Sequence, residues 1–198
     1  MNAAAALDEK AQQILSAVRI LLAKKGYAAT TISLVAAKAG VSRGLLHYYF
    51  KNKDDMLATV LETNMQASIS LLREILVQSN SAPKMASGLV HALKQVLKDD
   101  PTFFHLYFEG WAVARQSELV DRKLKSLYGQ FREALETCLD DAWQRGILSF
   151  SIPVKGLAAL LTGILDGMGL QLVTETDLAE DETIWQALET GILRLLSE

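Results

Sequence analysis

The chain has 198 residues, half of them apolar, and a formal net charge of −3. That much apolar matter builds one large domain or two small ones and excludes a disordered chain. The single cysteine, Cys138, excludes an internal disulfide framework and fits a reducing compartment.

The opening stretch MNAAAALDEKAQQ has no basic segment followed by an apolar core, so no signal peptide is read there. The longest apolar run, GLAALLTGILDGMGLQLV (156–173), is interrupted by Asp166 and four glycines and reads as a buried helix rather than a membrane span. The expected location is cytoplasmic, with no membrane partner. The charge is unevenly spread. Residues 1–53 carry eight Lys/Arg against two acids, a balance of +6, and the remainder carries twelve against twenty-one, a balance of −9. Such a split suits a front end that meets a polyanion, although a modest basic excess also occurs on ordinary solvated surfaces.

Helical periodicity runs through the sequence, and β-branched runs with strand alternation are absent. Ile14, Val18, Leu21 and Leu22 place an apolar stripe on a first helix. It closes at KKGY, where Gly26 is free to take a left-handed conformation. TTISLVAAKAG is a short helix capped by Thr30 or Thr31 and stopped by Gly40. VSRGLLHYYF is a second short helix with Ser42 as cap. NKDDML opens a longer one, capped by Asn52, with Asp54 and Asp55 where the helix dipole favours acids. It runs to about Val77, roughly 35–40 Å. After the break at SNSAP, helical segments are expected at about 84–98, 101–115, 118–145, 153–174 and 181–197. The fold class is all-α, with about nine helices.

Residues 31–50, TISLVAAKAGVSRGLLHYYF, have the spacing of a helix-turn-helix. Ala36 lets the two helices cross closely, and Gly40 supplies the turn. Ile32, Val35, Ala39, Val41, Leu46 and Phe50 can share a small core, which leaves Ser42, Arg43, Gly44, Leu45, His47 and Tyr48 facing outward. Tyr49 and Phe50 read more as core than as contact.

TTISLVAAKAGVSRGLLHYYFKNKDDML resembles the DNA-binding domain of the TetR family of bacterial regulators. The shared pattern is a Thr-initiated helix, Ala-x-x-x-Gly-Val-Ser, a short recognition helix, an aromatic cluster ending in Phe, then a Lys and acids opening a long helix. LLTGILDGMGLQLV resembles the family's penultimate helix. The resemblance implies an N-terminal three-helix DNA-binding domain over 8–68, with its helix-turn-helix motif at 31–50, joined to a C-terminal ligand-binding and dimerisation bundle over 69–198. It places Arg43 as base reader, since Arg on guanine is the commonest specific contact. Gly44 then gives close backbone approach, and Leu45 meets a thymine methyl. Thr31, Ser33 and Ser42 carry hydroxyls near phosphates. His47, Tyr48 and Tyr49 fall on the aromatic positions that brace the DNA backbone, and Lys53 matches a phosphate-contacting lysine. The aromatic order HYYF is permuted relative to most relatives, which carry Tyr at the position of His47.

In the second half, PTFFHLYFEGWAVAR (101–115) is rich in aromatics. Phe103, Tyr107 and Trp111 share one helical stripe, Phe104 and Phe108 an adjacent one, and Tyr128, Phe131 and Trp143 follow on the next helix. They read either as ordinary core or as the wall of a small-molecule cavity. The cavity reading names Met65, Phe104, Tyr107, Phe108, Trp111 and Tyr128 as ligand-binding. His105 and Glu109 are then either its polar groups or an exposed i, i+4 pair. The helices at 153–174 and 181–197 read either as an association surface, the first carrying more apolar surface than a peripheral helix buries and Gly163 and Gly167 being open to close approach, or as helices packed within the monomer. The resemblance implies that they form a homodimer's four-helix bundle.

No metal motif, phosphate loop or catalytic constellation is present, and no cofactor is implied. The function so read is non-enzymatic: a ligand-responsive transcriptional repressor released from a near-palindromic double-stranded operator by a small lipophilic or aromatic effector. The alternative is a helical small-molecule-binding protein of the same fold without operator binding.

Overall fold

A computed structural model describes residues 3–197, with side chains from Glu9 onward. Glu198, the last residue of the expected C-terminal domain, lies outside them. The described residues form ten helices and no strand: α1 Ala3–Ala29, α2 Ile32–Ala39, α3 Arg43–Tyr49, α4 Lys53–Gln78, α5 Ala82–Asp99, α6 Phe103–Ala114, α7 Glu118–Gln144, α8 Val154–Thr174, α9 Thr176–Glu180 and α10 Glu182–Ser197. The five-residue α9 is additional to the helices read from sequence. Its Trp185 neighbour in α10 ties it down by donating its indole N–H to the Ala179 carbonyl at 2.9 Å.

The boundaries follow local chemistry. Thr31, Ser42 and Ser81 each accept a backbone N–H from three residues on, capping α2, α3 and α5. Asn52 caps α4 through the Asp55 N–H at 2.8 Å, and Asp55 reaches back to the Lys51 N–H at 2.9 Å, so two orphan donors are satisfied reciprocally. Thr30 does not cap. It is fully buried and its hydroxyl donates to the Gly26 carbonyl. Gly26 interrupts α1 with φ 72 and ψ 172. The positive φ matches the expectation, but the extended ψ turns the chain rather than closing the helix in a left-handed cap.

The chain forms two compact units: residues 1–64 with 105–126, and residues 65–104 with 127–198. In the first, Ile14, Val18 and Leu22 of α1 are buried, as are Val35, Leu46, Phe50, Leu57 and Leu61. Gly110 of α6 belongs here, because an added Cβ would sit 2.9 Å from Leu61 Cδ1. In the second, Leu89, Leu135, Leu139, Leu157, Leu161, Leu188 and Ile192 centre the core. Phe104 is locked there against Gly169 of α8, where an added Cβ would fall 1.9–2.5 Å from the Phe104 ring.

By length and composition alone α8 could cross a membrane, with a mean hydropathy of 1.5. Its Leu157, Ala158, Leu161, Thr162, Gly169 and Leu172 are instead buried in the second unit, as a core helix requires. Its other face is open. Leu160 and Leu170 are exposed, and Cβ atoms built on Gly163 and Gly167 meet nothing within 4 Å among the described residues.

Candidate nucleic-acid interface

The turn between α2 and α3 is a complete Schellman closure. Gly40 takes φ 64 and ψ 33, its N–H points to the Ala37 carbonyl at 3.3 Å, and the Val41 N–H reaches the Ala36 carbonyl at 3.0 Å. Only a residue without Cβ adopts that conformation cheaply. Val35, Ala36, Leu46 and Phe50 are buried beneath the turn, and Ile32, Ala39 and Val41 are half-buried around them. Of the seven residues of α3, only Leu46 is buried.

The outer face that results is formed by Ser42, Arg43, Gly44, His47 and Tyr48, all exposed, with Leu45 and Tyr49 half-buried at its edge. Tyr48 projects furthest, at 76 % exposure, with its ring edge-on to Tyr49. Thr31 is exposed and Ser33 half-buried. Lys24, Lys25, Lys38 and Lys51 are exposed as well, so the positive charge read from the sequence is presented to solvent.

Lys53 is half-buried and already engaged. Its ammonium lies 4.0 Å from the centre of the Tyr27 ring and donates to the Ala28 carbonyl at 3.1 Å. Tyr27 in turn donates its hydroxyl to Asp54 Oδ1, and Ser117 donates its own to Asp54 Oδ2 at 2.5 Å. The Tyr27 backbone N–H donates to Glu109 Oε2 at 3.1 Å. Burial, and then the hydrogen bond to Asp54, push the Tyr27 phenol well above its usual range. Sequence reasoning passed over Tyr27 and Ser117. Their partners are 63 and 82 residues away for the Ser117–Asp54 and Tyr27–Glu109 pairs, and no short-range pattern announces such pairs.

The six residues read as ligand-binding are placed differently from one another. Met65 and Phe104 are buried and Tyr128 half-buried in the second unit. Tyr107 is buried in the first, its hydroxyl donating to the Leu61 carbonyl at 3.0 Å. Phe108 and Trp111 are 39 % and 45 % exposed, so no buried wall includes them. The inward arc of α6 is held by Leu106, Tyr107 and Gly110; at 100° per residue Phe108 falls on the opposite side, while Trp111, one turn beyond Tyr107, lies at the edge of the arc. Of the two polar candidates, Glu109 points to Tyr27 and His105 is exposed. A polar group not singled out beforehand is Asp166 of α8. Burial raises its carboxyl to about 6, against the opposing effects of a hydrogen bond from Tyr128 and the charge of Arg132. Among the described residues, no group of three or more His, Cys, Asp or Glu is placed to hold a metal ion.

A capped, solvent-facing second helix on a glycine turn, in a basic N-terminal region, defines a helix-turn-helix DNA-binding protein. The family model described as bacterial regulatory proteins, tetR family, matches residues 14–60. Residues 14–60 thus carry a TetR-type DNA-binding domain, and the chain is a DNA-binding transcriptional regulator. It is similar to the fatty acid metabolism regulator protein of Bacillus subtilis (strain 168), at 24 % identity over 188 residues, 94 % of this chain and 93 % of that one. Among solved structures, Salmonella enterica GusR shares the fold with a TM-score of 0.81, 20 % identity and 95 % coverage of both chains. FadR from Bacillus subtilis in complex with stearoyl-CoA shares it with a TM-score of 0.76, 21 % identity and coverage of 94 % of this chain and 97 % of that one.

Proposed function

We propose that the protein is a cytoplasmic homodimeric repressor that holds a near-palindromic operator and releases it when a long-chain lipophilic effector binds. The observation that carries the DNA-binding half is the exposed face of α3, fixed by Ser42, Leu46 and Phe50. We assign base reading to Arg43, with its planar donor fork, and close approach to Gly44. Leu45 contacts a base methyl. Thr31, Ser33, Ser42, His47, Tyr48, Tyr49 and Lys53 are assigned to backbone positioning. We assign DNA binding to residues 8–68 and effector binding and dimerisation to 69–198, a functional division that differs from the two compact units, of which the first also takes in 105–126 and the second begins at Met65.

Dimerisation is assigned to α8 and α10. An apolar groove lies between them, lined by Leu160, Ile164 and Met168 on one side and Ile184, Leu188 and Leu195 on the other. Uncovered apolar surface of this kind suits a second copy of the same helices, related by a two-fold axis. Two recognition helices then meet successive major grooves about 34–36 Å apart.

For the effector we favour the second unit, around Met65, Phe104 and Tyr128. The aliphatic class follows from the similarity to a fatty acid metabolism regulator and to a regulator held with stearoyl-CoA. Selection from a randomised duplex pool at low salt, followed by titration of the bound operator with stearoyl-CoA, tests both halves. Enrichment of a palindrome and its release by stearoyl-CoA are expected. Failure to enrich any site sinks the repressor reading, and an operator complex indifferent to stearoyl-CoA sinks the effector class.

A further inference from the structure

Tyr27 joins three interactions in the first unit, and a fourth extends them through Asp54. Its N–H is held by Glu109 of α6, its ring lies under the Lys53 ammonium, its hydroxyl holds Asp54, and Asp54 is held from its other oxygen by Ser117, just ahead of α7. Gly26 makes the junction possible. Its positive φ aims the next N–H at Glu109, and an added Cβ would stand 2.9 Å from Glu109 Oε1. Ser117 is itself fixed, because it also receives the Val120 N–H and its carbonyl begins α7.

We propose that Glu109 and Ser117 are positioning residues for DNA binding, setting the pose of Lys53 through Tyr27 and Asp54. This rests on the reading that Lys53 meets phosphate. Asp54 follows Lys53 in the chain, and both side chains meet at Tyr27, the ammonium on its ring and the carboxylate on its hydroxyl. Tyr27 and Ser117 each hold one oxygen of the Asp54 carboxylate and so fix its orientation, while the ammonium rests on a ring face and one carbonyl, partners that a phosphate readily outcompetes. Without the Ser117 hydroxyl, the Asp54 carboxylate keeps only its Tyr27 anchor and is free to turn toward the Lys53 ammonium and offset its charge. Without the Glu109 carboxylate, the Tyr27 N–H loses its partner, and the corner carrying Ala28, which holds the lysine tip, loosens. Holding the lysine beforehand also removes part of the ordering cost on binding.

The test uses the full chain and the operator obtained by selection, with binding measured by fluorescence anisotropy at several salt concentrations. Ser117→Ala and Glu109→Ala are each expected to weaken binding about tenfold. Each should flatten the salt dependence by about one counterion, as Lys53→Ala does. Combining either with Lys53→Ala should add nothing. Glu109→Gln, whose amide oxygen still accepts, should keep wild-type affinity. Hydrogen exchange at the Tyr27 amide, read without DNA, should speed up in Glu109→Ala and stay slow in Glu109→Gln. Wild-type salt slopes in both alanine variants, or losses that add to that of Lys53→Ala, overturn the proposal. A wild-type chain that binds no duplex defeats the repressor reading instead, while the exchange experiment still reports on the junction.

Discussion

Gly44→Ala separates what the free protein needs from what the complex needs. Gly44 lies in the first turn of α3 with an ordinary helical backbone, and a Cβ built there meets only Ser42 Oγ, at 3.8 Å. That is normal van der Waals contact. The free protein therefore accepts alanine and gains helix propensity, up to about 0.5–1 kcal/mol. For a chain of this size such a gain raises the melting temperature by about 1–4 °C. On the operator the methyl stands on the exposed face beside Arg43, where close backbone approach to the groove is expected. A loss of about tenfold in affinity, roughly 1.4 kcal/mol, is predicted. Calorimetry of the free protein and anisotropy with the operator should thus move in opposite directions. Operator binding unchanged in a folded Gly44→Ala protein would refute close approach at this position. A lower melting temperature would show that the environment of Gly44 has been misjudged.

Arg43→Ala should cost about 1–3 kcal/mol and relax preference at one base pair, whereas Lys53→Ala should weaken all operator variants alike. Identical profiles across an operator panel would show that the two roles are wrongly divided. Asp166 binds its proton more tightly in the folded state, at about 6 against an ordinary 3.8. Stability should therefore fall as pH rises from about 4 to about 6, by roughly 3 kcal/mol at most, and stay low above that. Asp166→Asn keeps an acceptor for Tyr128 and should flatten this fall and stabilise the protein at pH 7; parallel wild-type and mutant melting curves across that range would refute the assignment. Gly169→Ala forces a methyl into the Phe104 ring and should destabilise by about 1–3 kcal/mol. Phe104→Leu in the same chain should recover part of that loss in a denaturant melt. Leu160→Glu on the open face of α8 should yield monomers by sedimentation at micromolar concentration, and an intact dimer would move the interface elsewhere.

The local grammar of the sequence carried far. Ser42, Asn52, Gly40 and Thr31 act within a few residues of themselves, so caps and turns could be read before any tertiary contact was known. The outward set on α3 followed from periodicity together with the small core beneath it. What escaped was long-range. Nothing near Glu109 reveals that it faces Tyr27, since an i, i+4 spacing with His105 is equally natural on an exposed helix. Aromatic content alone does not choose a face of α6, and Phe108 and Trp111 stand partly exposed where Tyr107 is buried. There the choice is made by Gly110, which lets Leu61 approach. In the sequence Asp166 reads as an interruption of an apolar run; its burial depends on neighbours in the fold, among them Tyr128 and Arg132 of α7.

The way α3 is anchored also bears on how such a protein diverges after gene duplication. The helix is held by the Ser42 hydroxyl, by one buried side chain, Leu46, and by Phe50 just beyond its end. Arg43, Gly44, His47 and Tyr48 contribute little to that anchorage. A paralogue can exchange these four with little loss of folding stability, so its operator can drift while the scaffold stays under purifying selection. Selectivity engineering inherits the same freedom: a library confined to these positions should remain mostly folded, and its members should differ in which DNA they hold rather than in whether they survive expression.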